Sequence, residues 1–392
     1  MKSLLITTGI FAPDIGGPAS YARTLGKRFT QQGVAVTILA YSSVMQHGGD
    51  RGLPFRVRRV WTGLPWGVRH AWYAFQTFRF ARGSEAILAL NAVSAGVPAA
   101  MAARLTHTPL VVRIVGDYAW EIALQTGRTF LLIDDFQKSP TGGRIGRLRR
   151  LQTWTCRQAK AIIVPSQYLA GVVMGWGVPQ EKLRVVYNGV ELPVVQASKE
   201  EARKHIGISG NLIVSCGRLV PWKGFRMLIK LLPQLLQVNQ FFRLAIVGDG
   251  PDQKMLQTVI RTLGLERKVF LVGRKSASEL AWYLAAADLF VLNTGYEGFS
   301  HQILEAMQAG IPVITTTAGG NREVIVQGQN GIMVRYNDEF NLLEAIKAVW
   351  KQGDLREKLV ANARHTVAAF STERMYEATK EVLTEVTSDT AE

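Results

Sequence analysis

Apolar positions along the chain fall into short unbroken runs, separated by longer stretches with a single apolar face. In the first half the runs are residues 3–8, 34–40, 86–90, 110–115 and 161–164. Runs of this length between turn residues predict strands buried on both faces of a sheet. Residues 21–31, stopped near Gly33, and residues 68–81 have helical spacing instead. The second half repeats the rhythm. Strands are expected at 212–216, 243–247, 268–272, 289–292, 312–315 and 331–334, and the pattern is helical from about Glu339 onward. Strand, helix, strand at this spacing predicts an α/β fold of parallel sheets with crossover helices. A Tyr-Asn-Gly turn and a loosely patterned stretch at residues 188–198 mark a junction. Two such sheets joined once predict a cleft suited to an enzyme with two substrates.

Composition agrees with that division. A chain of 392 residues is long enough for two domains, each with its own core. Apolar residues make up 47% and charged residues 19%, the balance of a folded chain. No uncharged apolar run reaches about 18 residues, so no membrane-spanning helix is expected. The N-terminal MKSLLITTGIFAPDIGG outlines a secretion signal, but its apolar stretch is short and runs into a Gly-Pro turn. It reads as the first strand. Cys156 and Cys216 make no disulfide framework, which points to the cytoplasm.

Charge changes the picture more. Residues 1–190 carry 23 Lys and Arg against 8 Asp and Glu, whereas residues 191–392 carry 23 against 22. A field so concentrated attracts polyanions: nucleic acid, anionic lipid or a phosphorylated substrate.

The strongest motif is Glu297-Gly-Phe-Ser-His-Gln-Ile-Leu-Glu305. A helix expected to start near Ser300 places Glu297 in the loop before it and Glu305 more than a turn inside. The amides and positive dipole end at such a start favour a phosphate, and a carboxylate nearby accepts hydrogen bonds from sugar or ribose hydroxyls. Alone, the pair is equally compatible with an ordinary capped helix. Its neighbours add weight. Ala318-Gly319-Gly320-Asn321-Arg322-Glu323 follows the next strand, where backbone can approach a ligand closely. Gly217-Arg218-Leu-Val-Pro-Trp-Lys223-Gly224 follows the strand at 212–216, and its Arg and Lys can reach one diphosphate. Neither Val247-Gly248-Asp249-Gly250-Pro251 nor Phe11-Ala-Pro-Asp-Ile-Gly16-Gly17-Pro is a G-x-G-x-x-G or Walker loop, which argues against a dehydrogenase or P-loop NTPase.

Together these motifs resemble the retaining GT-B glycosyltransferases of family 4, the glycosyl transferases group 1. The resemblance covers almost the whole chain and is densest over residues 212–334. It implies two Rossmann-like domains facing a cleft. Residues 1–190 would form the acceptor domain, joined by a C-terminal helix at about 372–392 that crosses back. Residues 191–371 would form the donor domain. It further implies that Arg218 and Lys223 hold the donor diphosphate, that Glu297 meets the transferred sugar, and that Glu305 meets the ribose. Phe299, Ser300 and His301 would lie over phosphate and sugar, the Gly17 amide would approach the phosphate, and residues near Gly273 and Arg274 would border the base. Pro165-Ser166 and Asn188-Gly189-Val190 match structural landmarks at the junction. The resemblance also implies a nucleoside diphosphate sugar as donor substrate, with no separate cofactor and no bound metal, and no tight His/Cys/Asp cluster argues otherwise.

One departure bears on the acceptor side. Many relatives carry His-Asp after the strand matching 110–115, and here the segment reads Arg113-Ile-Val-Gly116-Asp117-Tyr-Ala-Trp-Glu121. Gly116 stands where the His would, so either Asp117 takes over part of its role near the reacting sugar or the acceptor completes the site, while Glu121 is a second candidate that reads more readily as a helical surface residue.

The basic half also interleaves rings with arginines: Arg56, Arg58, Arg59 and Trp61, then Trp66 to Arg82, and later Arg144, Arg147, Arg149 and Arg150. A basic, aromatic helix can lie on an anionic bilayer near a lipid-linked acceptor. The alternative places the rings in the core and leaves the arginines solvated. The expected partners are thus a nucleotide sugar, a glycan, lipid-linked or small-molecule acceptor, and an anionic membrane surface at its cytoplasmic face. A sugar-nucleotide epimerase or phosphorylase on the same fold is the alternative enzyme. A nucleic-acid-binding protein is the remote alternative that the basic half suggests, but nucleic acid is not an expected partner, because no helix-turn-helix, zinc or RNA-binding motif is present.

Overall fold

The computed structural model describes residues 1–14 and 16–388. The chain divides into two compact units, Asn188–Thr372 and a unit made of Met1–Tyr187 with the segment that begins at Glu373.

The first unit runs β1 (Ser3–Thr8), α1 (Gly17–Gln31), β2 (Ala35–Ser42), β3 (Arg56–Trp61), α2 (Trp66–Ala81), β4 (Ala86–Ala89), α3 (Gly96–Thr106), β5 (Leu110–Arg113), α4 (Tyr118–Gln125), α5 (Ile133–Lys138), α6 (Gly143–Gln158), β6 (Ala161–Val164), α7 (Gln167–Met174) and β7 (Leu183–Val185). Its seven strands are parallel and ordered β3-β2-β1-β4-β5-β6-β7. The second unit runs α8 (Lys199–Ile206), β8 (Asn211–Cys216), α9 (Phe225–Val238), β9 (Phe242–Val247), α10 (Gln253–Thr262), β10 (Val269–Gly273), α11 (Ala277–Ala286), β11 (Leu289–Leu292), α12 (His301–Gln308), β12 (Val313–Thr316), β13 (Ile332–Val334), α13 (Glu339–Lys351) and α14 (Gly353–Val367). Its six parallel strands are ordered β10-β9-β8-β11-β12-β13. The last helix is α15 (Thr372–Ser388), and residues 389–392 of the expected C-terminal helix lie outside the described residues.

The α/β class expected from the runs is present as two Rossmann-like sheets, and nearly every expected strand is there within one or two residues. Two strands were not foreseen, β3 and β7, one at each edge of the first sheet. Residues 56–61 were expected to act as a basic cluster. They alternate as an edge strand does, and Arg59 turns inward to Asp50 (2.7 and 2.8 Å) and to the Ser42 hydroxyl (2.9 Å).

Right-handed crossovers place α1 and the helices that lead from β3 through β7 on opposite faces of the first sheet. On the first face, Leu25 and Phe29 of α1 join Tyr376 and Leu383 of α15 and Ile6 and Leu88 of the sheet in one core. Phe29 and Tyr376 meet edge-on at 4.9 Å, and the Tyr21 hydroxyl bonds that of Thr379 at 2.8 Å. On the second face α2 packs on α3 and α3 on α6.

Asp117, expected beside the reacting sugar, holds this second layer together instead. It is the N-cap of α4 and accepts from the Trp120 amide at 3.0 Å. Gln137 from α5 donates to it at 2.8 Å and Gln152 from α6 at 3.1 Å. The carboxylate is fully buried with both oxygens occupied, so it has no face left for a substrate. This corrects the expected catalytic role: the Trp120 amide and the Gln137 and Gln152 side chains all use it as their acceptor. Glu121 lies within α4, as a helical residue, and is only partly exposed. Asp117→Ala is expected to lower stability by about 2–4 kcal/mol, since it removes a cap and takes the acceptor from the buried Gln152 amide and the half-buried Gln137 amide. Asp117→Asn, which keeps an acceptor for the cap, is expected to cost less. Urea unfolding of the two variants checks the order, and equal stability of wild type and alanine variant would overturn the structural role.

Candidate functional site

The second sheet reverses direction between β8 and β11, its topological switch point. Crossovers leave β8 on one face and β11 on the other, and the opened crevice at the carboxyl ends is where such sheets bind ligands. The loops that flank it, residues 217–224 and 293–300, carry most of the residues that the motifs singled out.

Backbone contacts lock the two loops together. The Gly295 amide donates to the Trp222 carbonyl at 2.7 Å, and the Thr294 hydroxyl donates to the same oxygen at 3.3 Å. Gly224 takes φ +60°, and a Cβ there would collide with the Asn293 carbonyl oxygen. Only glycine allows both the left-handed turn and the close approach. Asn293 is itself held by Asn337, its Nδ2 donating to Oδ1 and its Oδ1 accepting the Asn337 amide, both at 3.1 Å. The loop after β9 is drawn in the same way, with Gly248 so close to the Gly217 carbonyl that no side chain fits between them.

This clamping brings the Lys223 ammonium against the Glu297 carboxylate as an ion pair. Both side chains are nearly buried. The Gly319-Gly320 loop after β12 joins them, since the Gly320 amide donates to the Glu297 carbonyl at 3.0 Å. Asn321 pins that loop to Thr316 through its carbonyl at 3.1 Å and to the Thr315 hydroxyl at 3.2 Å. Ser300 caps α12, accepting the Ile303 amide at 3.4 Å, and His301 opens the helix. Phe299 is buried in front of the cap, with its carbonyl held by Asn188 at 3.1 Å and its ring against Phe370. The first amides of any helix have no intrahelical partner, so this start is a ready anion site.

Glu305 lies one turn into α12, beside Cys216 at the end of β8. Burial pushes its carboxyl up to about 7, and it has no hydrogen-bond or ion-pair partner among the described residues. Arg218 is exposed and also lacks such a partner among them. Arg274, at the end of β10, pairs with Asp249 at 2.9 Å. The second unit therefore assembles Arg218, Lys223, Glu297, Phe299, Ser300, His301 and Glu305 from two adjacent loops and one helix, with Arg274 two strands away. Gly17 opens α1 in the first unit, after β1, with open space where a Cβ would stand. Asp117, also in the first unit, is spent on its cap. Sequence reasoning missed Asn293, Thr294 and Asn337, which position the pair. The signal for Asn293 and Thr294 was present, as polar residues directly after an apolar strand.

Comparisons with known proteins place the chain. The model described as Glycosyltransferase Family 4 matches residues 15–193 and the model described as Glycosyl transferases group 1 matches residues 198–366. An uncharacterised glycosyltransferase of Methanocaldococcus jannaschii is 29% identical over 220 residues, 54% of this chain and 56% of that protein. The lipopolysaccharide core biosynthesis glycosyltransferase LpsE of Rhizobium meliloti is 29% identical over 211 residues, 54% of this chain and 59% of that protein. The chain spans little more than half the length of these relatives. Among solved structures, Anabaena HepE in complex with UDP-glucose superposes with a TM-score of 0.79 at 21% identity, covering 98% of this chain and 100% of that one. With matched models over most of its length and a GT-B fold, the chain belongs to the family 4, group 1 glycosyltransferases.

Proposed function

We propose that the protein transfers a sugar from a nucleoside diphosphate sugar to a glycan, lipid-linked or small-molecule acceptor, retaining the anomeric configuration and using no metal. The observation that supports it best is the Lys223–Glu297 pair at the switch point, a cation and an anion withdrawn from water and held against each other. In the ligand-free state each neutralises the other. A donor diphosphate would draw Lys223 and the unpartnered Arg218 to its oxygens, and the freed Glu297 carboxylate would accept hydroxyls of the sugar. Two side-chain cations and the start of α12 then face the charge that develops as the diphosphate departs. Glu305 would receive the ribose hydroxyls. The reading places the enzyme in the cytoplasm, where its two buried thiols, Cys156 and Cys216, stay reduced.

Lys223→Ala is expected to cut turnover by about 10²–10³-fold, the loss typical of removing one group that stabilises developing charge. Lys223→Arg, which keeps the charge, is expected to keep part of the activity. The assay detects nucleoside diphosphate released from UDP-, GDP- and ADP-sugars with candidate acceptors. Release that needs no acceptor, or a near-normal rate in the alanine variant, would sink the assignment.

Glu305 gives a pH test with a fixed sign. Its carboxyl is held up to about 7 in the folded chain against 4.5 ordinarily. Between these values the folded chain binds more protons than the unfolded one, so stability falls as pH rises toward 7. Glu305→Gln is therefore expected to stabilise the ligand-free protein by about 1–3 kcal/mol at pH 8 and by much less at pH 5. Ribose hydroxyls prefer the charged carboxylate, so donor affinity is expected to rise with pH through about 7 in the wild type and to lose that step in the variant. Thermal unfolding at both pH values, with and without donor, measures the two effects together.

A further inference from the structure

The second helical layer of the first unit carries a surface that sugar transfer does not use. Along α2, Val68, Trp72, Phe75 and Arg79 form one outward stripe, opposite the buried Tyr73, Thr77 and Ala81. Trp72 is 46% and Phe75 52% exposed, with their rings stacked at 5.4 Å, and Trp66 at the helix start is 75% exposed. The neighbouring α3 turns Met101, Arg104 and Leu105 outward, with Leu105 70% exposed. Beyond it α6 presents Arg144, Arg147, Arg150 and Leu151. The spacing of α3 and α6 is close, because Gly96 at the start of α3 abuts Thr155.

Two features separate this layer from an ordinary solvated face. Large apolar side chains stand exposed on all three adjacent helices, where isolated ones would be usual. The three helices also contain no Asp or Glu at all, while each carries arginine. On these three helices the arginines have no acidic neighbour of their own, although α5 of the same layer exposes Asp134 and Asp135, and the exposed apolar side chains share the helices with the arginines. A protein partner would need an unusually acidic, greasy surface. A nucleic acid would use the arginines and leave Val68, Met101, Leu105 and Leu151 in water. An anionic bilayer satisfies both halves at once, since rings and aliphatic chains enter the headgroup boundary while guanidinium groups meet lipid phosphates.

We infer that the outward face of α2, α3 and α6 docks the protein on an anionic lipid bilayer, without any segment crossing it. Among the described residues no helix is long and apolar enough to cross a membrane. The face separates into an apolar part on α2 and α3 and a cationic part centred on α6, so the two contributions can be removed independently.

The full-length protein is sedimented with vesicles of phosphatidylcholine alone and with vesicles containing about one third phosphatidylglycerol, at low salt and at roughly 0.15 M salt. Wild type is expected to partition to the anionic vesicles only. Trp72→Ser with Phe75→Ser is expected to weaken partitioning about tenfold or more at both salt levels. Arg147→Gln with Arg150→Gln is expected to weaken it about tenfold at low salt. Lys254→Gln with Arg261→Gln on α10 of the second unit removes the same charge elsewhere and is expected to leave it nearly unchanged. All four positions on the face are exposed, so folding is checked by unfolding temperature, and donor binding by the stabilisation that nucleotide sugars give. That stabilisation reports on the transfer reading separately. Failure of wild type to bind anionic vesicles, equal losses in the α10 control, or undiminished binding by both face variants would each overturn the inference. So would retention on a duplex oligonucleotide without vesicle binding, which would assign the face to nucleic acid.

Discussion

A parallel sheet must be covered on both faces, and a chain that covers both has to reverse its direction of travel once. In the second unit that reversal falls between β8 and β11. The helices that follow these two neighbouring strands leave toward opposite faces, and the loops after them are the only segments available to close the gap. Everything chemical in this unit depends on how the gap is closed. Here it is closed by backbone: Gly224 against Asn293, Gly295 on Trp222, and Gly320 on the Glu297 carbonyl. At Gly224 the approach leaves no room for a side chain, and the closure brings Lys223 and Glu297, 74 residues apart, to one position.

An ion pair that has left water gains Coulomb energy but gives up hydration, and the net is close to even. Such a pair is a weak reason for stability and a strong reason for poise. On the proposed function, the donor's diphosphate would offer Lys223 a partner with more charge and the sugar's hydroxyls would offer Glu297 donors in exchange, so that binding would swap one set of satisfied charges for another. Glu305 is poised differently. It lacks even that internal partner, and its environment opposes ionisation strongly enough to hold its carboxyl near neutrality. A group in that condition weakens the empty protein above pH 7 and recovers the loss on meeting hydroxyl donors. The two carboxylates of the E-x7-E spacing thus meet a ligand with opposite prior states, one neutralised by a lysine and the other by a proton.

Much of this was legible before any coordinates. Buried parallel strands carry few polar residues, and β1, β6 and β11 none that is charged, so these three stand out as runs whose limits match residue for residue. Edge strands are half solvated and lose that signature. β3 reads Arg-Val-Arg-Arg-Val-Trp and passed for a charge cluster, and β7 is three residues long. At the switch point, spacing within one loop pairs Arg218 with Lys223 and spacing across a helix start pairs Glu297 with Glu305, whereas the meeting of Lys223 with Glu297 comes from the strand order. The role of Asp117 was not legible, because it depends on Gln137 and Gln152, which lie 20 and 35 residues away on other helices. An aspartate before a helix looks the same in sequence whether its carboxylate faces a substrate or caps that helix among buried amides.

The charge asymmetry shows the same limit of counting. The excess of arginine in the first 190 residues is a property of the whole half, yet several of those arginines are committed inside the fold. Arg113 is buried over the Tyr21 ring at 3.8 Å. Arg59 is taken by Asp50 and Ser42, and Arg149 donates to the Ser139 and Phe136 carbonyls at the end of α5. None of these reaches a partner outside the chain. The exposed remainder is spread over the half, and the part of it on α2, α3 and α6 lies beside exposed rings and aliphatic side chains. Net charge alone attracts any polyanion equally, and only its combination with apolar surface selects among them. A phosphate-rich boundary with hydrocarbon beneath it is the one surface that answers to both.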